Sequence, residues 1–136
     1  MSERINLEAF DTVRGGEAGI ELRIKTPDGR EWPGHIRIRG FDSETYQRTL
    51  DEQQRRLLAS GVARRVPTVE DLAANELELA AALVIGWTLP IDWEGKPLDY
   101  SPANAQLLLK RFRWIREQVE RAAGVRANFL PGSSTS

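Results

Sequence analysis

Two stretches alternate apolar and charged side chains residue by residue, a period of two that fits a half-buried strand and not a helix. In GIELRIK, Ile20, Leu22 and Ile24 alternate with Glu21, Arg23 and Lys25; in HIRIRG, Ile36 and Ile38 alternate with Arg37 and Arg39. Between them TPDGREWPG holds the Asp28-Gly29 pair, a turn dipeptide suited to a hairpin. Residues 20–39 therefore read as a β-hairpin with one apolar face. A two-stranded hairpin is marginal in water by itself, so the remainder of the chain must cover that face.

Residues beyond the hairpin read as mostly helical. Asp42 and Ser43 are N-cap residues and Glu44 suits the positive helix start, opening a helix to Ser60. Its apolar stripe is narrow, Tyr46, Leu50 and Leu57 with Gln53 in line, so the helix is expected to lie on the hairpin surface. Gly61 and Pro67 bracket the loop that ends it. Thr68 with Asp71 approximates a capping box for a second helix reaching Trp87, whose broad face of Val69, Leu72, Ala73, Leu79, Ala80, Leu83, Val84 and Trp87 marks it as the core helix. Glu76 falls within that face. A lone buried carboxylate is costly, which predicts an arginine partner or an opening of the face there. After the irregular 88–100, Ser101-Pro102 supplies the cap and first residue of a last helix. Continued to Ala123, that helix lines up Leu108, Phe112, Ile115, Val119, Ala122 and Ala123.

The fold class is thus α+β: an N-terminal β-hairpin packed with three main α-helices in a mostly helical C-terminal two-thirds. One domain is expected over 1–130, with a flexible arm at 1–19, the hairpin at 20–39, the helical part at 42–126 and a disordered tail at 131–136. RGGEAG, within the arm, lacks the Gly-Lys-Ser/Thr ending of a phosphate loop and precedes a strand, so it reads as a connector.

Nineteen basic residues against 20 acidic give a net charge of -1, and no global field draws the chain to nucleic acid. The N-terminus does not read as a signal peptide, and the longest apolar run, Leu79 to Trp87, is far short of the roughly 20 residues of a membrane span. With no cysteine, disulfides, thiolate metal sites and cysteine nucleophiles are all excluded. The single histidine, His35, sits on the strand face opposite Ile36 and Ile38, with no neighbouring pattern that makes a triad. A metal site would have to be all-oxygen, and Asp92, Glu94 and Asp99 lack the spacing of a calcium loop. Those acids, with Trp87 and Trp93 as sugar platforms, are also the only basis for a small hydrolase. Lys110, Arg111, Arg113, Arg116, Arg121 and Arg126 look basic in a row, but Glu117 and Glu120 lie among them at helical spacing, giving a mixed-charge face. The reading is of a non-enzymatic binding protein without metal or cofactor.

Two stretches carry a family resemblance. RGFDSETYQRTLDEQQRR (39–56) and GWTLPIDWEGKPLDYSPANAQLLLKRFRWIREQVERAAGVRANFL (86–130) resemble the tail assembly chaperones of long-tailed bacteriophages. The matching features run in order over 20–130: a strand pair, the Gly40-Phe41-Asp42-Ser43 helix start, a charged helix, a core helix ending near Trp87, the Gly95-Lys96 loop leading to Ser101 and Asn104, then Phe112, Trp114, Ile115, Arg116, Gln118 and Val119, and finally Asn128-Phe129. Arg113 stands where members of that family tend to have proline, which predicts a straighter last helix here.

The resemblance implies a protein of the infected bacterium's cytoplasm, absent from the finished particle, that keeps the tape-measure protein soluble while tail-tube subunits assemble. It also implies a route to the tail-tube protein through a longer, frameshifted product; self-association is compatible with it. The alternative is a structural phage component retained in the virion, a head-to-tail connector or tube-end protein. On the last helix, Leu107, Trp114 and Val125 form a second stripe about 100° from the core row, flanked by Lys110, Arg121 and Gln118. Tryptophan beside arginine is the composition of an interface anchor, so these residues are the expected partner-binding surface.

Overall fold

The computed structural model describes residues 4–59, 67–88 and 90–131. The expected loop at 60–66 and the tail beyond Pro131 lie outside the described residues. The architecture is α+β, with five α-helices and a small antiparallel sheet among the described residues. In chain order these are α1 (Thr12–Ala18), β1 (Ile20–Leu22), β2 (Ile36–Ile38), α2 (Glu44–Ala59), α3 (Val69–Ala82), β3 (Val84–Trp87), β4 (Asp92–Trp93), β5 (Lys96–Pro97), α4 (Pro102–Arg111) and α5 (Arg113–Ala123). Short 3-10 turns at Leu7–Phe10 and Arg126–Phe129 stand near the two ends.

The alternating stretches form the expected hairpin, with Ile20 opposite Ile38 and Leu22 opposite Ile36. The hairpin gains a third strand, because β3 pairs with the other edge of β2, Ile36 facing Trp87 and Ile38 facing Val84 around a bulge. This corrects the expected course of the second helix, which ends at Ala82 and not at Trp87. Leu79, Leu83 and Trp87 keep helical spacing, but Val84 and Ile85 are β-branched and β2 offers an open edge, so sheet pairing prevails.

The core lies between the apolar sheet face and the C-terminal helices. Ile20, Ile24, Ile36 and Ile38 meet Ala80 and Leu83 at the end of α3, Ala105, Leu108 and Leu109 of α4, Ile115, Val119 and Ala123 of α5, and Phe129. The N-terminal half of α3 departs from the expected core face, with Val69 78% and Leu72 51% exposed. Glu76 lies in that open half and reaches Arg116 at 3.7 Å. α2 buries no residue and rests chiefly on α3 and α1, not on the hairpin. Polar contacts fasten it: the Gln53 amide donates to the Asn75 carbonyl (2.9 Å) and to Glu78 (2.7 Å), and Arg56 also donates to Glu78 (2.6 Å).

The N-terminal segment departs most from expectation. Residues 12–18 of the supposed flexible arm form α1, capped by the Asp11 carboxylate on the Val13 and Arg14 amides. The glycine pair that read as a loosener serves close approach. A Cβ on Gly15 would stand 1.8 Å from the Phe129 carbonyl oxygen, so only glycine lets the C-terminal turn seat against α1. Two carboxylates complete the attachment. Asp42 accepts from Thr12 (2.7 Å) and from Arg126 (2.7 and 3.2 Å), joining α1, the start of α2 and the C-terminal turn. Glu17 accepts from the Thr45 amide (2.9 Å), the Thr45 hydroxyl (2.7 Å) and Arg39 (3.3 Å).

Alanine for glycine inside a helix ordinarily stabilises by about 0.5–1 kcal/mol. Gly15→Ala is expected to do the reverse, lowering the melting temperature, because its methyl meets backbone and not a yielding side chain; a rise would show that Phe129 does not seat there. The carboxylates give a pH dependence. The Arg126 and Thr12 hydrogen bonds hold the Asp42 carboxyl below its usual range against the effect of burial. For Glu17, burial acts upward, and the Thr45 bonds with Arg39 outweigh it. Each group therefore binds fewer protons folded than unfolded, so its stabilisation is complete above an unfolded pKa of about 4 and is lost as pH falls through the depressed folded value. Asp42→Asn should melt lower at neutral pH and show a flatter acid limb than the parent; an unchanged acid limb would locate the pH sensitivity elsewhere.

Candidate protein-interaction surface

Ser101 caps α4 by accepting from the Asn104 amide at 3.0 Å, with Pro102 at the first helical position. From there α4 drives Ala105, Leu108 and Leu109 into the core. The expected continuous helix then breaks at Phe112, whose φ of -113° and ψ of 83° are not helical. The straighter helix inferred from Arg113 is thus corrected: the break occurs with neither proline nor glycine nearby. Its amide still closes α4 by donating to the Leu108 carbonyl (2.9 Å), while its carbonyl accepts from Ile115 (3.0 Å) and Arg116 (3.3 Å) to start α5. The Phe112 ring leaves the buried Leu108–Ile115 row and stands half-exposed between two tryptophans.

Those contacts make a ladder of four rings from three parts of the chain. Trp93 meets Phe112 at 5.3 Å, Phe112 meets Trp114 at 6.2 Å, both near edge-to-face, and Trp114 meets Trp32 at 6.0 Å, tilted by 33°. All four are half-buried. Trp93 is positioned by the β4–β5 hairpin, where it pairs with Lys96 and where Glu94 (φ 55°) and Gly95 (φ 76°) supply the two left-handed residues of a tight turn. Trp32 is positioned by the long β1–β2 connection. There the Thr26 amide donates to the Arg30 carbonyl (2.8 Å), and the Trp32 amide returns to Ile24 (2.8 Å). Gln118 ties that connection to α5: its side chain accepts from the Lys25 amide (2.9 Å) and donates to the Lys25 (2.8 Å) and Trp114 (2.9 Å) carbonyls. The residue expected to flank a docking stripe is therefore a strut.

Leu107 is 51% exposed on α4, and Lys110 is exposed on the same helix one turn toward the break. Trp114 lies across the joint on α5, seated on Trp32 and Phe112 instead of standing free. Val125 is 45% exposed, and Arg121, also exposed, lies two turns along α5 from Trp114. Val125 lies beyond the end of α5, about 16 Å from Trp114 at the helical rise. From the sequence, Trp32 has no assigned role, Phe112 reads as a core residue and Trp93 as a candidate sugar platform; the signal for Trp32 is a tryptophan inside an otherwise polar turn, GREWPG.

The residues weighed for other chemistry stay apart. His35 contacts Glu21 (3.3 Å) and the Thr88 hydroxyl (3.4 Å), and Asp92, Glu94 and Asp99 are exposed. Among the described residues no group of three His, Cys, Asp or Glu side chains is arranged to hold a metal. Trp87, half-buried, donates to the Leu98 carbonyl (3.1 Å) and packs edge-on to Tyr100, so it braces the 91–98 loop and not a ligand pocket.

Aromatic pairs in contact couple by about 0.5–1.5 kcal/mol beyond their burial. A double-mutant cycle with Trp93→Ala and Phe112→Ala, read out by denaturant unfolding, should return a coupling in that range. A coupling near zero would mean that the β4–β5 hairpin does not rest on the joint.

The span from Phe41 through α5 and the C-terminal turn carries most of this surface, and it is also where a known family is matched. The family model described as YdaY prophage protein matches residues 41–134, leaving β1, β2 and Trp32 outside the match. No curated protein and no solved structure matches the chain. With more than half of its 136 residues matched, the chain belongs to the YdaY prophage protein family and is phage-derived.

Proposed function

We propose that this phage-derived protein is a tail assembly chaperone that binds the tape-measure protein and keeps it soluble while tail-tube subunits assemble. The observation that carries the reading is the half-exposed ladder of Trp93, Phe112, Trp114 and Trp32, with Leu107 exposed on the helix that leads into it. A tape measure is a very long helical protein whose apolar stripes aggregate until they are covered, and an amphipathic helix lays such a stripe against an apolar surface. Tryptophans that are already packed on one side offer large contact area with little side-chain freedom left to lose, the character of interface anchors. Lys110 on α4 and Arg121 on α5 belong to the same reading, with Val125 as a contact just beyond the end of α5. The tail-tube protein would be reached indirectly, through the tape measure or a longer product of the same gene. The protein acts in the host bacterial cytoplasm and leaves before the particle is complete.

Co-expression with the tape-measure protein of the same prophage tests the reading. Leu107→Glu is exposed enough to leave the melting curve nearly unchanged, yet it should move the co-expressed partner into the insoluble fraction. A folded variant that still solubilises the partner would place binding on another surface. Stoichiometric presence in purified particles would instead favour a structural component of the virion.

A further inference from the structure

Among the described residues, charge at the α4–α5 joint has no carboxylate partner. α4 contains no acidic residue, and its last turn holds Lys110 and Arg111. Arg113 opens α5 on the other side of Phe112, and all three cations are exposed. Cations suit the end of α4, where the helix dipole is negative, but Arg113 sits at a helix start, where the dipole opposes it. That start has no side-chain cap and no acid in its first turn. Arg39, Arg56, Arg116 and Arg126 each have a carboxylate partner, whereas Arg14, Arg23, Arg48, Arg55 and Arg121 stand singly along the chain; the joint differs in gathering three such cations within four residues. Among the described residues Lys110, Arg111 and Arg113 have none, although Glu31, Asp92, Glu94 and Glu117 lie on adjoining elements.

We propose that the joint selects its partner by charge: it takes an amphipathic helix whose apolar anchors, seated on Leu107 and the ring ladder, are flanked by carboxylates that meet Lys110, Arg111 and Arg113. This rests on the reading that the ladder is a docking surface for a helical partner, and it specifies that partner's chemistry. Complementary charge across an interface sets specificity and association rate more than raw affinity. It also relieves an arrangement that the chain's own acids leave unrelieved. Single-stranded nucleic acid also pairs cations with aromatic rings, but the exposed Leu107, one helical turn from Lys110 and Arg111, offers an apolar contact that base stacking does not use.

The test titrates the full chain with three probes, monitored by tryptophan fluorescence and calorimetry: a helical peptide with a leucine stripe flanked by glutamates, the same stripe flanked by lysines, and a single-stranded oligothymidine. The acidic peptide should bind about tenfold or more tightly than the basic one, and its affinity should fall with added salt. Lys110→Gln with Arg111→Gln should remove most of that preference while leaving apolar binding in place. Should the variant fold poorly, the salt dependence of the parent protein decides alone. Equal binding of both peptides overturns charge selection and leaves the docking surface standing, whereas binding of neither overturns both the selection and the assignment of the ladder. Preference for the oligothymidine overturns the proposal in favour of a nucleic-acid surface.

Discussion

Pairing on both edges of β2 is the constraint on which the rest of the structure depends. Ile36 and Ile38 are fully buried, β1 occupies one edge and β3 the other. Because β3 comes directly after α3, this pairing fixes where α3 must end and hence where its buried Ala80 and Leu83 stand. Because β1 comes directly after α1, it also fixes where the N-terminal helix returns to meet Asp42 and Phe129. The family match begins at Phe41, so β3 lies inside it while both β1 and β2 lie outside. The matched helical part is completed, in this chain, by a sheet edge from the preceding residues.

The parts of the fold legible in the sequence are those whose signals are local. Alternation at Ile20–Ile24 and Ile36–Ile38 announces strands, and Ser43, Thr68 and Ser101 each cap a helix that forms. The illegible parts are decided by partners far along the chain. Val84–Trp87 continues a helical row until β2 recruits it, a tertiary override of spacing. Gly15 looks like a connector residue until the Phe129 carbonyl is known to press against it. The break at Phe112 has no punctuating residue at all; what accompanies it is contact with Trp93 and Trp114. Of the surface, Leu107 and Trp114 are readable from a helical wheel. The ladder is not, because its rings come from positions 32, 93, 112 and 114 and only folding brings them together.

Stability is distributed unevenly over this frame. The sheet and the α4–α5 pair hold most of the buried aliphatics, whereas α2 buries none and α3 contributes Ala80 alone within its helical span. The α2–α3 pair is fastened by Gln53, Arg56 and Glu78, contacts that are part-exposed and individually worth about 1 kcal/mol or less. Regions held this way open locally at low cost. By contrast, the joint between α4 and α5 sits on Leu108, Leu109 and Ile115, all almost fully buried, and is cross-tied by Gln118.

That contrast bears on how the ladder can work as a surface. A helix break would ordinarily be a flexible point, but here the ring contacts on either side of Phe112 replace the lost helical continuity. The same rings therefore do two things: one edge of each stabilises the joint, and the remaining surface stays open to solvent. A partner that covers the open surface need not disturb the inner contacts, so it meets side chains whose rotamers are already restricted. Ordering an interface side chain on binding costs roughly 0.5–1.5 kcal/mol, and each ring fixed beforehand spares most of that. On the proposed reading, a protein that holds an aggregation-prone helix and later releases it gains from this arrangement, since affinity is set by the few anchors that remain exposed.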